Sequence, residues 1–433
     1  MASLPHWFLT AALLAPLAAD TPRDHDSLQD LLGRLRARRD GVVTELRGTV
    51  DALVATLDAE AVPRNLDALD AAKDKLIGLG QECGPLLLDY LDPGVKSTDA
   101  QKLRSQYVTL ALVGLKSKAI TTKLIEMAQN ASPDGRANAI QVLATSPEPE
   151  RVAPVLIGLF RGSQGELRIQ ALTALAKLGG DSSDKVLDEG LNDTRPEIVD
   201  ATLEALAQAK KASIAPRVIK LLASPAQAVG HLEKLMAYYR AVPEGIDKAG
   251  VMAWVRVAED LAATNEQRLK VLEFLPTFAD RFDAESRREL RTLAESPTPE
   301  VAQGALIALV LVGDRSARKE LLAPLDDEIE NNKTWPALYT SRGDVLYKIA
   351  DYKDAINDYK KAIQLAADDL RARQDGAYIG LARCYAMTNK LKEAGTTLER
   401  APLTAKQLVA LRRDPAFAKL VEHPKYKDLF NPK

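Results

Sequence analysis

One pattern of seven residues occurs twice between residues 335 and 401. Tyr339, Gly343, Leu346, Tyr352, Ala355, Tyr359 and Ala362 make the first copy. Tyr378, Ala382, Tyr385, Leu391, Ala394, Leu398 and Ala401 make the second, each 39 residues after its counterpart. Each copy reads as a helical hairpin. The small residues Gly343/Ala382 and Ala355/Ala394 stand where two helices cross closely, and the aromatics and leucines fill the space around them. A single hairpin of this kind cannot bury its apolar face. It must stack on another, so the feature dictates a repeat architecture for its neighbours too.

These residues resemble the tetratricopeptide repeat (TPR), a helix–turn–helix unit of about 34 residues. The observed step is longer, which places about five extra residues near 367–375. A second periodicity runs from residue 65 to 327. One leucine per unit, at Leu79, Leu112, Leu143, Leu175 and Leu206, recurs at steps of 31–33 residues. Around three of them the text repeats: AIQVLATSPEPERVAPVLIGLF, ALTALAKLGGDSSDKVLDEGL and TLEALAQAKKASIAPRVIKLL. Each reads as a helix with small residues, a polar break and a second helix. Ser or Asp in the break is expected to cap the second helix, and Pro suits helix starts. This text resembles the HEAT-like repeats of bacterial α-solenoids. Beyond Ala223 the rhythm continues in divergent form, with Tyr238, Tyr239, Trp254, Phe274, Phe278 and Phe282 replacing alanine.

The segments at either end read differently. Residues 1–19 are apolar and end in Leu17-Ala18-Ala19, small residues suited to cleavage before Asp20. The run is too short for a stable membrane anchor, and it reads as a secretory signal peptide. The mature protein is then exported, periplasmic or secreted. Residues 20–64 follow as one amphipathic helix, with Leu28, Leu32, Leu35, Val42, Val43, Leu46, Val50, Leu53 and Leu57 at a period near 3.6. Arg34, Arg36, Arg38 and Arg39 read as a solvated face. The polar stretch DDEIENNK, 326–333, separates the two repeat types, and the TPR pair (334–401) is expected to dock on the last HEAT-like unit. The tail, 402–433, resembles the segment that closes TPR arrays in bacterial proteins: Arg412, Asp414, Pro415 and Phe417, then Pro424 and Tyr426. Physically it is a cap over an open apolar end.

The fold class expected is therefore all-α, an α-solenoid of HEAT-like hairpins followed by a TPR pair and capping helices. Composition agrees: 46% of residues are hydrophobic but only 5% aromatic, the alanine–leucine mix of closely packed helices. β-branched residues form no alternating runs. Charge is nearly balanced at -2, which argues against nucleic acid as a partner.

Signals for chemistry are absent. None of the four histidines, His6, His25, His231 and His423, pairs at helical spacing for a metal, and no HExxH occurs. There is no GxSxG and no phosphate loop, and Gly179-Gly180-Asp181 is a turn. Cys83 and Cys384 lie far apart, outside any CxxC, and read as two lone thiols. Carboxylate pairs such as Asp326-Asp327 and Asp368-Asp369 are ordinary solvated charges. No cofactor, metal or catalytic residue is expected. The resemblance to TPR domains implies a groove lined by Thr340, Asp344, Lys348, Ile379, Arg383 and Met387. Relatives that grip an acidic chaperone C-terminus carry Lys and Asn at set groove positions. Thr340, Asp344 and Gly380 stand there instead and do not fit that mode. The function expected is non-catalytic protein–protein interaction, as a scaffold or adaptor with protein partners. The alternative is an enzyme or small-ligand binder with its site in the divergent repeats, 238–282.

Overall fold

The computed structural model describes residues 28–366 and 375–431. The expected signal peptide, His6, His25, Asp368-Asp369 and most of the extra residues near 367–375 lie outside the described residues, as do the side chains of Arg34, Arg36 and Arg38. The described chain is α-helical, with short 3-10 turns and no strand among the described residues. It falls into two compact units. One runs to Val218 and takes in Glu233–Gly245; the other comprises Ile219–Leu232 and everything from Ile246 onward.

The first unit opens on the helix Leu28–Ala61. Its second half is anchored. Val50, Val54, Leu57 and Ala61 are buried, whereas Val43 is 44% exposed. That half packs on the helices Leu66–Gly78 and Asp99–Leu115. Arg104 pairs with Asp58 at 3.2 Å, and the Tyr90 hydroxyl donates to Asp51 at 2.8 Å. Packed helix pairs follow: Thr121–Asn130 on Pro133–Leu143, Pro149–Gly162 on Gly165–Leu178, and Asp181–Leu191 on both Gly165–Leu178 and Pro196–Gln208. Pro133, Pro149 and Pro196 begin their helices, where a missing N–H costs nothing and φ is already helical. Leu112, Leu143, Leu175 and Leu206 are fully buried. Leu79 is half-buried at a helix end, and Leu76 fills the core place instead. The helices approach closely at glycines: a Cβ on Gly114 would lie 2.8 Å from Ile77 Cδ1, and one on Gly190 would lie 2.5 Å from Thr202 Oγ1.

The expected capping of the second helices is corrected in the three quoted turns. Glu148 and Gly180 precede their helices without a side-chain cap, and the third turn forms the 3-10 helix Ala212–Ile214. Backbone bonds such as Ser146 N–H to Leu143 O and Gly179 N–H to Leu175 O close these tight turns, leaving side chains little to do. Capping falls instead on first helices. Thr98 forms a reciprocal box with Gln101, and Ser132 caps Pro133–Leu143.

In the second unit the aromatics are core. Trp254 meets Phe274 edge-on at 5.3 Å, and Phe274 meets Phe278 at 5.1 Å. The polar stretch from Asp326 is the end of the helix Arg315–Asn331. Leu321, Leu322 and Ile329 of that helix share one apolar cluster with Leu338, Tyr339, Leu346 and Tyr359 of the hairpin Pro336–Lys348/Tyr352–Ala366. Arg342 fastens the junction, donating to both oxygens of buried Asp358 at 2.7 Å and to Asp326 at 2.7 Å. Tyr359 lies between two glycines. A Cβ on Gly343 would sit 2.8 Å from its ring, and one on Gly380 would sit 2.3 Å away. Past Leu391–Arg400 the tail buries Phe417, Leu420, Tyr426 and Phe430 on Ala382, Ala394 and Leu398. The Tyr426 ring presses on Gly395 as Tyr359 does on Gly380.

Candidate functional site

The six TPR-groove residues fall on two helices that pack together, Pro336–Lys348 and Asp375–Met387. Thr340, Asp344 and Lys348 stand one turn apart on the first; Ile379, Arg383 and Met387 do so on the second. They are not equally available. Thr340 donates back to Pro336 O at 3.4 Å, and Asp344 accepts from the Tyr359 hydroxyl at 2.7 Å. Burial, with Asp344 adding to it, pushes the Tyr359 phenol up, so it stays a donor. Ile379 packs into the tail cluster, and Arg383 donates to Asp414 at 2.6 Å. Lys348 has no hydrogen-bond or ion-pair partner among the described residues, and Met387 is 49% exposed. The pair therefore presents Lys348 and Met387, while Arg383 is turned to the tail. Asp414 was not anticipated as its partner; the Asp-Pro step that starts the short helix Pro415–Phe417 was the available clue.

A second surface lies in the first unit, across Asp99–Leu115, Pro133–Leu143 and Gly165–Leu178. Two adjoining hollows of about 400 and 370 Å³ share Ala137 and Gln141 and so form one groove. Leu110, Ala137, Ile140, Ala144 and Ile169 line it with apolar surface, interrupted by Ser105, Asn138, Thr173 and Glu166. Gln106, Gln141 and Gln170 rise from it, one per helix. Sequence reading missed this row, because exposed glutamine carries no periodic hydrophobic signal.

The same unit holds a row of arginines at equivalent places, Arg104, Arg136 and Arg168, each 32 residues apart. Each buries its Nε without a partner. Arg104 has Asp58; Arg168 has Asp193 at 2.8 Å and lies 4.3 Å above the Phe160 ring. Arg136 has no carboxylate or carbonyl partner among the described residues. The step matches that of the leucines, so this row was legible by the same count.

No cluster of three metal-ligating side chains occurs among the described residues, and no described helix is long and apolar enough to cross a membrane. Cys83 and Cys384 are buried free thiols. Burial pushes them up to about 11 and about 12, which keeps them protonated and unreactive at neutral pH. His423 Nδ1 accepts from Lys425 N–H at 3.2 Å, and Asp326 is taken by Arg342.

Comparison with known proteins identifies the repeats. The family of HEAT repeats matches residues 121–207, and the tetratricopeptide repeat family matches residues 350–421. The chain thus carries HEAT-like repeats followed by TPR units, in an all-α fold. No curated protein matches it. Among solved structures it is similar to Kap121p bound to Ste12p, with a TM-score of 0.42 and 12% identity over 99% of this chain and 52% of that one. It is also similar to the karyopherin Kap121p bound to the SUMO protease Ulp1p, with a TM-score of 0.44 and 13% identity over 97% and 50%. The chain spans about half the length of these solved chains.

Proposed function

We propose that the protein is a non-catalytic scaffold or adaptor that binds other proteins along its helix-lined surfaces. The observation that carries this reading is the use of its polar chemistry. Arg342, Arg383, Asp358 and Tyr359 are spent on closing the first TPR hairpin, through Arg342–Asp358 and Tyr359–Asp344, and on tying the pair to its neighbours, through Arg342–Asp326 and Arg383–Asp414. What remains outward is surface: Lys348 and Met387 in the TPR pair, and the glutamine-lined groove in the first unit. Stacked hairpins offer long contact surfaces of this sort. The alternative, a ligand site within 238–282, loses its main support, since Tyr238, Tyr239, Trp254, Phe274, Phe278 and Phe282 are all buried.

Export belongs to the same proposal, supported by the apolar run before Asp20 and by the small residues that end it. So do the segment boundaries at 64, 327 and 401. N-terminal sequencing of the mature protein tests export: a first residue at Asp20 supports it, and an intact Met1 removes it. A photo-crosslinking residue at Met387 or Gln141 tests the scaffold reading in the native setting. Discrete protein adducts are expected at these positions and not at Leu261, an equally accessible control at 86% exposure. Identical adduct patterns at all three positions, or none, would defeat it.

A further inference from the structure

We infer that the groove of the first unit binds an extended, largely uncharged peptide segment of a partner, held by its backbone on the row Gln106, Gln141 and Gln170. This rests on the scaffold reading and gives it a ligand class and a site.

Three observations select this occupant. The first is hydrogen-bonding capacity. Gln106 and Gln141 are exposed and make no hydrogen bond among the described residues, while Gln170 donates to Glu166 at 3.2 Å. A glutamine amide offers a donor and an acceptor on one plane, the complement of a peptide group. The second is spacing. The three stand on neighbouring packed helices, whose axes lie about 8–10 Å apart. An extended chain advances about 3.3 Å per residue, so it meets one glutamine about every third residue. A segment of about seven residues reaches all three. The apolar surface between them suits small or aliphatic side chains, and it would strand a charged one without a partner.

The third is charge. Lys102 and Asp134 lie at one edge and neutralise each other at 3.3 Å. At the opposite edge of the third helix Lys177 is exposed and has no partner among the described residues. Glu166, exposed at the start of the same helix, lines the groove as well and accepts from Gln170 at 3.2 Å. The two charges of this helix offset each other, so the body of the occupant is neutral, and an acidic side chain or terminal carboxylate is favoured where the segment passes Lys177, away from Glu166.

A displayed library of random eight-residue peptides panned against the full chain provides the probe, and the selected peptides are titrated by fluorescence anisotropy. N-methylation at every third amide is expected to weaken binding more than tenfold, with smaller effects between. The double variant Gln106→Leu/Gln141→Leu is expected to lose at least tenfold. Both residues are exposed, so its circular dichroism and thermal unfolding should match the parent. Lys177→Gln should erase the preference for an acidic residue. The inference is overturned if the library yields no binder, or if selected peptides bind the double variant within twofold of the parent. Selected peptides that instead lose affinity on Lys348→Ala/Met387→Ala would place recognition on the TPR pair. That result ends this inference and leaves the scaffold reading standing, which only the crosslinking result can remove.

Discussion

Replacing Gly380 by alanine sets two effects of opposite sign against each other. Gly380 lies inside the helix Asp375–Met387, where alanine is favoured over glycine by about 1 kcal/mol. On propensity alone Gly380→Ala stabilises. The packing says otherwise. The new Cβ would lie 2.3 Å from Tyr359 Cζ, 2.5 Å from Cε1 and 2.7 Å from the hydroxyl. The ring has little room to shift, because Gly343 also crowds it: a Cβ there would lie 2.8 Å from Cε1 and 3.0 Å from Cδ1. Its hydroxyl is also tied to Asp344 at 2.7 Å. Either the helices part or the bond to Asp344 breaks. Overpacking of a filled core costs about 1–3 kcal/mol, and a lost hydrogen bond costs about 1. The net expectation is a loss of about 1–2 kcal/mol after the propensity gain is subtracted. Gly158 is the control: it sits inside Pro149–Gly162 with no atom within 4 Å of a Cβ, so Gly158→Ala should gain about 0.5–1 kcal/mol. A chain of stacked repeats need not unfold in one step, so native-state hydrogen exchange is the better assay. For Gly380→Ala, amides of Pro336–Lys348 and Asp375–Met387 should exchange roughly tenfold faster, while those of the first unit stay unchanged. Unchanged or slower exchange in those two helices would refute the packing argument and leave propensity in charge.

The arginine row gives a second contrast. Arg168→Met breaks a paired, stacked guanidinium and should cost about 2 kcal/mol, whereas Arg136→Met removes an unpaired group and should be neutral or stabilising; urea midpoints of the two variants decide it. Asp193 gives a pH signature. Arg195, with Arg168, holds its carboxyl down at about 2, so the folded value is below the unfolded one near 3.8. Its contribution is fully present well above the unfolded value and is lost as the pH falls through about 2. Asp193→Asn should thus be less stable than the parent by about 1–2 kcal/mol at pH 7, with the gap narrowing steadily as the pH is lowered through about 2, read from unfolding across that range. Finally, neither buried thiol should react with a disulfide reagent at pH 7.5 in the native protein, and both should react in guanidinium; rapid native labelling would contradict the burial of Cys83 and Cys384.

The repeat types and their core residues were legible because each rests on a short period. Leu112, Leu143, Leu175 and Leu206 are buried where the 31–33 step puts them, and Tyr339, Ala355 and Tyr359 where the doubled pattern does. Leu79 deviates because its helix ends there, and a residue at a helix end no longer faces the seam. What escaped were pairings between elements. Nothing in the sequence joins Arg383 to Asp414 or Arg342 to Asp326, since these depend on which face one hairpin shows the next element. The groove escaped for a related reason: its glutamines belong to no apolar stripe and become a row only when three helices lie side by side.

The polar ties between neighbouring hairpins join residues close in the chain: Leu91 to Asn138 across 47 residues, Asp58 to Arg104 across 46, Arg383 to Asp414 across 31, Arg168 to Asp193 across 25. A chain emerging from its N-terminus therefore meets each partner within the next hairpin or two. No early segment has to wait for the far end before it acquires a stable neighbour, which is the condition for rapid folding. The protein can consolidate as it is synthesised, each helix pair covering the one before it. The tail, with Phe417 and Tyr426, then covers the apolar face left by Ala382, Ala394 and Leu398.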